Sequence, residues 1–483
     1  MLPARLKPSL FKASKLSALI TLASLSIGSF GDNIYQVYQD AVANDPIIRA
    51  AAATLRAEQE LKNVAFGRML PQVGIEFNYI DSTEDNTPVA AQSSTEQTSN
   101  GYNIGITQNI LDLSVWYQFK SASELSEQAE LDFRSNEQKL ITRTVESYFK
   151  VLRAYDNLAS SLAEEAAFQQ QLDQTQQRFD VGLVAITDVN ESQAAYDLAK
   201  VNRLANQGIL QTTYENLTLL TGKVYSHISL VSDDLPIRDP IPADRKSWVE
   251  MSAKGNLELL SAEYATNAAK YKYKQAASGH LPTVGLTYNQ SERNITDGQI
   301  SVLGQGTIDI DDYETTYGDT PAFGTKTVSL SLKLPLFTGG STSANRRRAF
   351  AQYDSAQEQL SGTQRSVIQT TRANHIAVQT QIQTVAARKQ AITSSQSAVD
   401  AIEAGYQVGT RNIVDVLNAQ RNLYNAQRDY ANARYDYIEA MFELKLSAGL
   451  LSAGDIQTLN QFMMVDKPAT EQAALEALNQ ANQ

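Results

Sequence analysis

The sequence predicts a mixed α and β membrane protein, in which transmembrane β-strands continue into a barrel of long α-helical hairpins. Three observations predict this fold class: an internal two-fold repeat, four amphipathic strand segments, and two very long stretches without proline. A small mixed equatorial belt is expected beside the helices.

The first 31 residues have the layout of a secretory signal peptide. Four basic residues between Arg5 and Lys15 precede an apolar run, Leu16 to Ile27, that is shorter than the ~20 residues a membrane-spanning helix needs. Removing 1–31 lowers the basic residues from 41 by four and leaves the 53 acidic residues, so the expected mature net charge is −16. That acidity argues against nucleic acid or anionic lipid as a partner, because both would repel the chain.

Two motifs recur at similar spacing. Leu70–Gly74 recurs as Leu281–Gly285, and the Val181-Gly182 segment recurs around Val408-Gly409. Two matches in the same order predict two copies of one structural unit. The expected divisions are a first repeat at 32–222, an equatorial linker at 223–247, a second repeat at 248–449, an equatorial segment at 450–467 and a disordered tail at 468–483.

Each copy contains two segments in which apolar and polar residues alternate, as in Val73, Ile75 and Phe77 against their polar neighbours. A period of two predicts strands with one apolar face, of the length found in membrane β-strands. The strands are expected at about 72–80, 102–110, 283–290 and 327–336, with long polar loops at 81–101 and 291–326. Soluble hairpins with one face on a core would give the same pattern.

Long helices are predicted at about 114–181 and 342–407. The first stretch has neither Gly nor Pro, and its apolar residues recur in steps of three and four, as in a coiled coil. Gly182 and Gly409 are expected to end these helices in the left-handed conformation, and Asp188 with Glu191 to form a capping box. Return helices are expected at about 188–220 and 415–447, and shorter helices at 47–66 and 256–276.

Four membrane strands cannot close a barrel, and open sheet edges are not tolerated in lipid because their backbone groups stay unpaired. At least eight strands are needed, so several copies must share one barrel. The strand count alone allows two copies or three.

Several segments resemble the TolC family of outer-membrane efflux proteins. They are Asn33–Gln39, Gln171–Gln174, Arg178–Val189, Glu403–Arg411 and Asp415–Leu417. The resemblance implies a homotrimer with a 12-stranded barrel and a 12-helix tunnel, set in the outer membrane lipid of a Gram-negative bacterium and extending into the periplasm. It also implies a passive exit duct for multidrug efflux and type I protein secretion. A periplasmic adaptor (membrane fusion) protein and an inner-membrane transporter of the RND, ABC or MFS type would dock to it.

The same resemblance implies a gate at the periplasmic end, locked by polar links from Thr187 and Asp188 on the first hairpin tip to Tyr406 and Arg411 on the second. Asp415 corresponds to the family's constricting acid, and Asn418 stands where a second acid is usual. The expected gate residues are Thr187, Asp188, Tyr406, Arg411, Asp415, Asn418 and Arg434, with Arg434 pairing with Asp415. In the simpler interpretation, Asp188 only caps a helix and Arg411 lies in solvent.

The tips of the two hairpins resemble the family's surface for the adaptor. Their residues are Val181, Gly182, Leu183, Val408, Gly409 and Thr410. The alternative is that the two glycines only reverse the chain, and both interpretations can hold together.

Nothing in the sequence predicts an enzyme or a cofactor. Gly222-Lys223 lacks the upstream glycine of a phosphate-binding loop. The acids Asp309, Asp311, Asp312 and Glu314 could bind Ca²⁺, but an exposed acidic loop is the favoured interpretation. The competing class is a periplasmic coiled-coil scaffold without a pore.

Overall fold

The computed structural model describes residues 32–86, 93–302, 306–317, 322–470 and 472–476. The predicted signal peptide, 1–31, lies outside these residues. The first part of the chain forms α1 Ile34–Asn44, α2 Pro46–Gly67, β1 Gln72–Asn86, β2 Ser93–Leu111, α3 Leu113–Asp180 and α4 Ile186–Thr221. After β3 Ser229–Val231 and α5 Arg245–Gly255 come α6 Leu257–Ser278, β4 Thr283–Val302, β5 Gly306–Asp309, α7 Ile310–Tyr317, β6 Ala322–Lys333, α8 Ser341–Gln407 and α9 Ile413–Ser447. The chain then forms α10 Ala453–Asn460 and β7 Met463–Pro468.

The long helices α3 and α8 have 68 and 67 residues, so each is about 100 Å long at 1.5 Å per residue. Asp112 starts α3, because its carboxylate accepts hydrogen bonds from the backbone N–H groups of Ser114 and Val115 at 2.8 and 3.3 Å. The expected coiled-coil seam of α3 is largely buried, including Val145, Tyr148, Leu152, Tyr155 and Leu162. Neither Gly362 nor Gly405 interrupts α8.

The predicted capping box at Asp188 is wrong. Helix α4 begins at Ile186, after Ala185, and no side chain caps it. Asp188 therefore lies in the first turn, where its negative charge complements the helix dipole instead of bonding the first N–H groups. The second return helix does have a side-chain cap, since Asn412 Oδ1 accepts from the N–H of Asp415 at 2.8 Å.

The four long strands form an antiparallel sheet in the order β1-β2-β4-β6, and β5 pairs with the far end of β4. Cross-strand partners lie on the same face of a sheet. The register pairs Val73 with Ile106 and Ile106 with Tyr288, and it pairs Tyr288 with Val328. The alternating apolar residues of all four strands therefore share one face. They are Val73, Ile75, Phe77, Tyr79, Tyr102, Ile104, Ile106, Val284, Leu286, Tyr288, Val328, Leu330 and Leu332.

All four long strands extend into the expected loops 81–101 and 291–326, so those loops are largely wrong. β1 runs to Asn86, β2 begins at Ser93, β4 runs to Val302 and β6 begins at Ala322, although β6 also ends early, at Lys333. The sequence pattern ends where the apolar alternation ends, near Tyr79. Backbone pairing needs no apolar side chain, so the hairpins extend past that point as polar ribbons. Residues 87–92, 303–305 and 318–321 lie outside the described part.

The helices next to the sheet follow the order of the strands. α2 leads into β1, β2 into α3, α6 into β4, and β6 into α8, and α2, α3, α6 and α8 pack side by side in that order. One layer of strands thus continues into one layer of helices. Among the described residues, no helix has the length and apolar content needed to cross a bilayer.

The main core lies around the middle of α3, where the equatorial segments pack against the helices. Tyr148 and Phe149 are fully buried there, and the hydroxyl of Tyr148 donates to the Ser229 carbonyl oxygen at 2.6 Å. β3 pairs with β7, so the linker and the C-terminal segment form a small two-stranded sheet beside the helices.

The expectation of a disordered tail from 468 onward is wrong for the residues that the structure describes. Pro468 ends β7, and Ala469 and Ala474 are buried in the main core. The N–H of Ala469 donates to the Ile228 carbonyl at 2.7 Å, and the Tyr214 hydroxyl donates to the Ala469 carbonyl at 2.6 Å. This packing could not be predicted from the polar composition of the tail, because the buried side chains are small alanines.

Candidate functional site at the hairpin tips

Both long hairpins reverse direction through the same backbone turn. Gly182 and Gly409 have φ values of 77° and 79°, a region that favours glycine. The N–H of Leu183 donates to the Arg178 carbonyl at 2.8 Å, and the N–H of Thr410 donates to the Gly405 carbonyl at 2.9 Å. These bonds satisfy carbonyl groups at the helix ends, as in a Schellman motif.

The tips expose apolar side chains. Val181, Leu183 and Val408 are each about 70% exposed or more, at 70%, 69% and 75%. The two glycines next to them would have nothing within 4 Å of an added Cβ atom, so both turns project into open space. The tips therefore present a surface to which a partner could bind.

The structure does not bring the expected lock residues together within one chain. The Thr187 hydroxyl lies 3.5 Å from Asp188 Oδ1, and Arg411 lies 3.8 Å from Asp415, one turn further along α9. Among the described residues, Asp188 forms no hydrogen bond or ion pair with Tyr406 or Arg411. The resemblance identified these residues, but their mutual contact is not formed in the isolated chain.

Tyr406 instead contacts a residue that the sequence analysis did not select. The guanidinium of Arg178, in the last turn of α3, lies 4.7 Å from the centre of the Tyr406 ring. The Tyr406 hydroxyl is buried and has no hydrogen-bond partner among the described residues. The one available signal was a cation in the last turn of a helix, which is too common to predict a contact with another helix.

A small apolar cluster joins the two hairpins below the tips. Phe168 of α3 and Ala199 of α4 pack with Ile413, Val416 and Leu417 of α9. Asn418, just beyond this cluster, accepts a hydrogen bond from Arg421 at 3.4 Å. Asp415 and Asn418 therefore lie on a helix whose opposite face is held by the first hairpin.

The expected pairing of Arg434 with Asp415 is wrong within the chain. The two residues are 19 positions apart on α9, which places them about 28 Å apart along the helix axis. Arg434 is buried at the equatorial belt, where it pairs with Asp233 at 2.7 Å and donates to the Ser232 carbonyl. It holds the belt against α9 and lies far from the tips.

Near Arg434, the carboxyl of Asp156 is buried inside the helical layer. Burial raises the pKa of Asp156 to about 6, although a hydrogen bond from the Tyr435 hydroxyl and the charge of Arg434 act in the opposite direction. The Tyr435 bond is 2.6 Å long. The burial of Asp156 could not be predicted from the sequence, because the position of one Asp in a long amphipathic helix does not indicate how deeply its side chain is buried.

The calcium hypothesis finds no support in the described residues, which contain no cluster of three or more His, Asp or Glu side chains placed to hold a metal ion. Asp309 Oδ1 instead accepts from the N–H of Asp311 at 3.3 Å, at the start of α7.

Comparison with known families decides the identity of the fold. The family model described as outer membrane efflux protein matches residues 37–223 and 248–450, which include the four long strands, the long helices and both tips. The chain belongs to this family.

Relatives in the outer membrane efflux protein family include known secretion and efflux components. The chain is 35% identical to outer membrane protein TolC of Escherichia coli K12 over 442 residues, which covers 91% of this chain and 87% of that protein. It is 33% identical to TolC of Vibrio cholerae, covering 92% and 97%. It is 24% identical to the alkaline protease secretion protein AprF of Pseudomonas aeruginosa, covering 91% and 89%.

Solved structures show the same fold. The TM-score is 0.73 to CusC, at 17% identity and with 87% of this chain and 93% of that chain covered. It is 0.70 to the outer membrane protein VceC of Vibrio cholerae, at 18% identity, covering 86% and 96%. The family and fold are those of outer-membrane channel proteins of Gram-negative bacteria and not those of enzymes.

Proposed function

We propose that three copies of this chain form one channel-tunnel, which serves as a passive exit duct for multidrug efflux and type I protein secretion. A periplasmic adaptor and an inner-membrane transporter of the RND, ABC or MFS type would open it by docking at the hairpin tips.

The observation that carries the proposal is a sheet with one apolar face and two free edges. Among the described residues, β1 pairs only with β2, and β6 pairs only with β4. The apolar face from Val73 to Tyr79 spans about 20 Å along the strand at 3.3 Å per residue, which approaches the ~25 Å apolar band of outer-membrane barrels. In lipid, β1 of one copy must therefore pair with β6 of another, because unpaired backbone groups cost several kcal/mol each there.

The edges alone do not decide between two copies and three. The family resemblance supports three, which would give 12 strands and 12 helices. The matching order of strands and helices supports a tunnel wall that continues the barrel wall with the same number of elements.

The proposed gate acts between copies or after a twist of the hairpins, because one chain does not close it by itself. Arg411 is exposed and Asp188 is half-buried, so both keep surface that a neighbouring copy can approach. A carboxylate can accept hydrogen bonds from a guanidinium and a hydroxyl together, and such partly solvated bonds contribute about 0.5–3 kcal/mol each. That range is small enough for a docking partner to overcome.

Asp415 would form a ring of three carboxylates around the entrance, and Asn418 would leave a second ring uncharged. A single ring gives a weaker field for cations than two rings. The exposed apolar tips, Val181, Leu183 and Val408, would contact the adaptor.

The test is the mass and conductance of the purified mature protein. We expect a detergent-solubilised trimer with low conductance in planar bilayers, and a higher conductance for Arg411→Ala. Lys246→Ala, on the exposed face of α5, is the control and should leave conductance unchanged. A monomer that is stable in water without detergent would contradict the proposal and favour the coiled-coil scaffold.

A further inference from the structure

A collar of basic residues surrounds the junction between the helices and the sheet. We define it as the nine residues of α2, α3, α6 and α8 nearest the sheet, with the cap residues Arg68 and Asp112, a height of about 14 Å. It contains nine cations, Lys62, Arg68, Lys120, Lys270, Lys272, Lys274, Arg346, Arg347 and Arg348. Its acids are Glu60 and Asp112.

The charge changes sign just beyond the collar. In the next nine residues of the same four helices, Arg56 is the single cation, and the acids are Glu58, Glu124, Glu127, Glu130, Glu263, Asp354 and Glu358. The whole chain has a net charge of −12. The collar is therefore a local reversal that the total charge conceals.

The collar cations are not neutralised by the protein. Within the part of the chain that the structure describes, none of the nine forms an ion pair with a carboxylate, whereas Lys150 and Arg143, further along α3, pair with Glu146 and Asp45 at 2.6 and 2.7 Å. Arg346, Arg347 and Arg348 are all exposed. An anion from outside the chain can thus approach them without displacing an internal partner.

Aromatic side chains lie among these cations. Lys120 Nζ is 5.2 Å from the centre of the Trp116 ring, and Lys274 Nζ is 5.3 Å from Tyr271 and 5.8 Å from Tyr117. Trp and Tyr concentrate at the boundary between hydrocarbon and headgroups, where a ring can contact both. The height of the collar next to the apolar band and its aromatic content both indicate a membrane interface.

We propose that the collar binds the phosphate groups of anionic phospholipids in the periplasmic leaflet of the outer membrane. This inference rests on the proposed function, because it requires the apolar face of the sheet to lie in lipid. The headgroup layer on each side of a bilayer is about 5–8 Å thick. Long Lys and Arg side chains in the helical turns nearest the sheet can reach it by extending toward the membrane.

Total charge does not oppose this binding. Charges separated by more than about 8 Å are largely screened at physiological salt. A phosphate at the collar therefore interacts mainly with the collar cations within that distance and little with the acids of the distant helical hairpins. The net negative charge of the whole chain therefore disfavours anionic lipid in general, whereas the local positive charge of the collar favours it.

The experiment compares lipid retention by the intact trimer. Trimers would be incubated with equal amounts of phosphatidylglycerol and phosphatidylethanolamine in mild detergent, and the bound lipid measured by native mass spectrometry. The collar variant is Arg346→Gln with Arg347→Gln and Arg348→Gln. The matched control removes the same charge from exposed α5, by Arg245→Gln, Lys246→Gln and Lys254→Gln.

We expect the wild-type trimer and the control to retain several-fold more phosphatidylglycerol than phosphatidylethanolamine, and the collar variant to lose most of that preference. Equal retention of both lipids by the wild type, or an unchanged preference in the collar variant, would overturn the inference. So would a change in ion selectivity of the collar variant without a change in lipid retention, because it would place the arginines in the lumen.

A second variant keeps the test decisive if the triple arginine variant misfolds. Lys270→Gln with Lys272→Gln and Lys274→Gln tests the neighbouring helix, and it should lower the preference in the same direction. Failure of the wild type to form a trimer at all would count against the proposed function, and it is visible as mass before any lipid is added.

Discussion

The guanidinium of Arg178 lies over the ring of Tyr406, 4.7 Å from its centre, and this contact joins the last turn of α3 to the last turn of α8. A cation over an aromatic face contributes about 0.5–2 kcal/mol. The two hairpins are therefore held together near their tips by a contact that uses the ring of Tyr406, while its buried hydroxyl has no hydrogen-bond partner among the described residues.

Arg178→Ala should loosen the tips. We expect faster hydrogen exchange of the backbone amides around Gly182 and Gly409, because the contact between the hairpins is lost. Tyr406→Leu should have a similar effect, and the double variant should add little to either single change. Tyr406→Phe keeps the ring, so Arg178→Ala should still speed exchange in that background. Fully additive effects of the two single changes would show that the residues are not coupled.

The buried carboxyl of Asp156 should make stability depend on pH. Its pKa is raised from 3.8 to about 6 in the folded chain, so the folded state holds the proton more tightly than the unfolded state. The favourable contribution is full below pH 4 and is lost as the pH rises through 6. The difference corresponds to about 3 kcal/mol.

Asp156→Asn should remove that dependence. We expect the variant to gain thermal stability relative to the wild type as the pH rises from 4 to 7, measured by unfolding temperature in detergent. Asp244→Asn, at a fully exposed position, serves as the control and should not reduce the slope in this way. Parallel profiles for the wild type and Asp156→Asn would show that the buried carboxyl does not control the pH dependence.

The tail should contribute to stability as far as Ala474. A chain that ends at Pro468 loses two buried alanines and the hydrogen bonds of Ala469 with Ile228 and Tyr214, a loss of about 1–3 kcal/mol at typical net values. A chain that ends at Glu476 keeps them and should melt like the full chain. Equal melting temperatures for all three would contradict the packing described here.

Gly101 should be essential for the sheet. A Cβ atom at Gly101 would lie 2.2 Å from the backbone oxygen of Glu292 on the neighbouring strand, which cannot move without breaking the pairing. Gly101→Ala should therefore lower the yield of the proposed trimer, measured by mass in detergent. Gly74→Ala, on β1 with nothing within 4 Å of the added atom, is the control and should assemble normally.

Sequence analysis predicted the features that depend on local chemistry. The absence of Gly and Pro between Asp112 and Val181 allows one long helix, and Gly182 and Gly409 end their helices because glycine tolerates positive φ. The alternation around Val73 and Phe77 predicted one apolar face. Each of these follows from residues close together in the sequence.

The missed features depend on residues far apart. The contact of Arg178 with Tyr406 and the pairing of Arg434 with Asp233 are set by how helices pack, which no local pattern records. The family resemblance selected Asp188, Tyr406 and Arg411 as lock residues, but no contact joins Asp188 to the other two among the described residues of one chain. The extension of β1 beyond Tyr79 was not predicted, because strands that pair through their backbones need no alternation of apolar and polar side chains.

Each long strand leads directly into a helix or follows one, and the two parts of the molecule differ in how their backbone hydrogen bonds are satisfied. A helix satisfies its own N–H and C=O groups, whereas among the described residues the outer strands β1 and β6 each leave one row of these groups unpaired, which the proposed assembly would pair with another copy. In the proposed assembly, the helices of a newly secreted chain can therefore fold within that chain, whereas its strands become stable only when they pair with those of other copies. Assembly in the cell should consequently begin at the periplasmic end, and membrane insertion should be its last and most cooperative step.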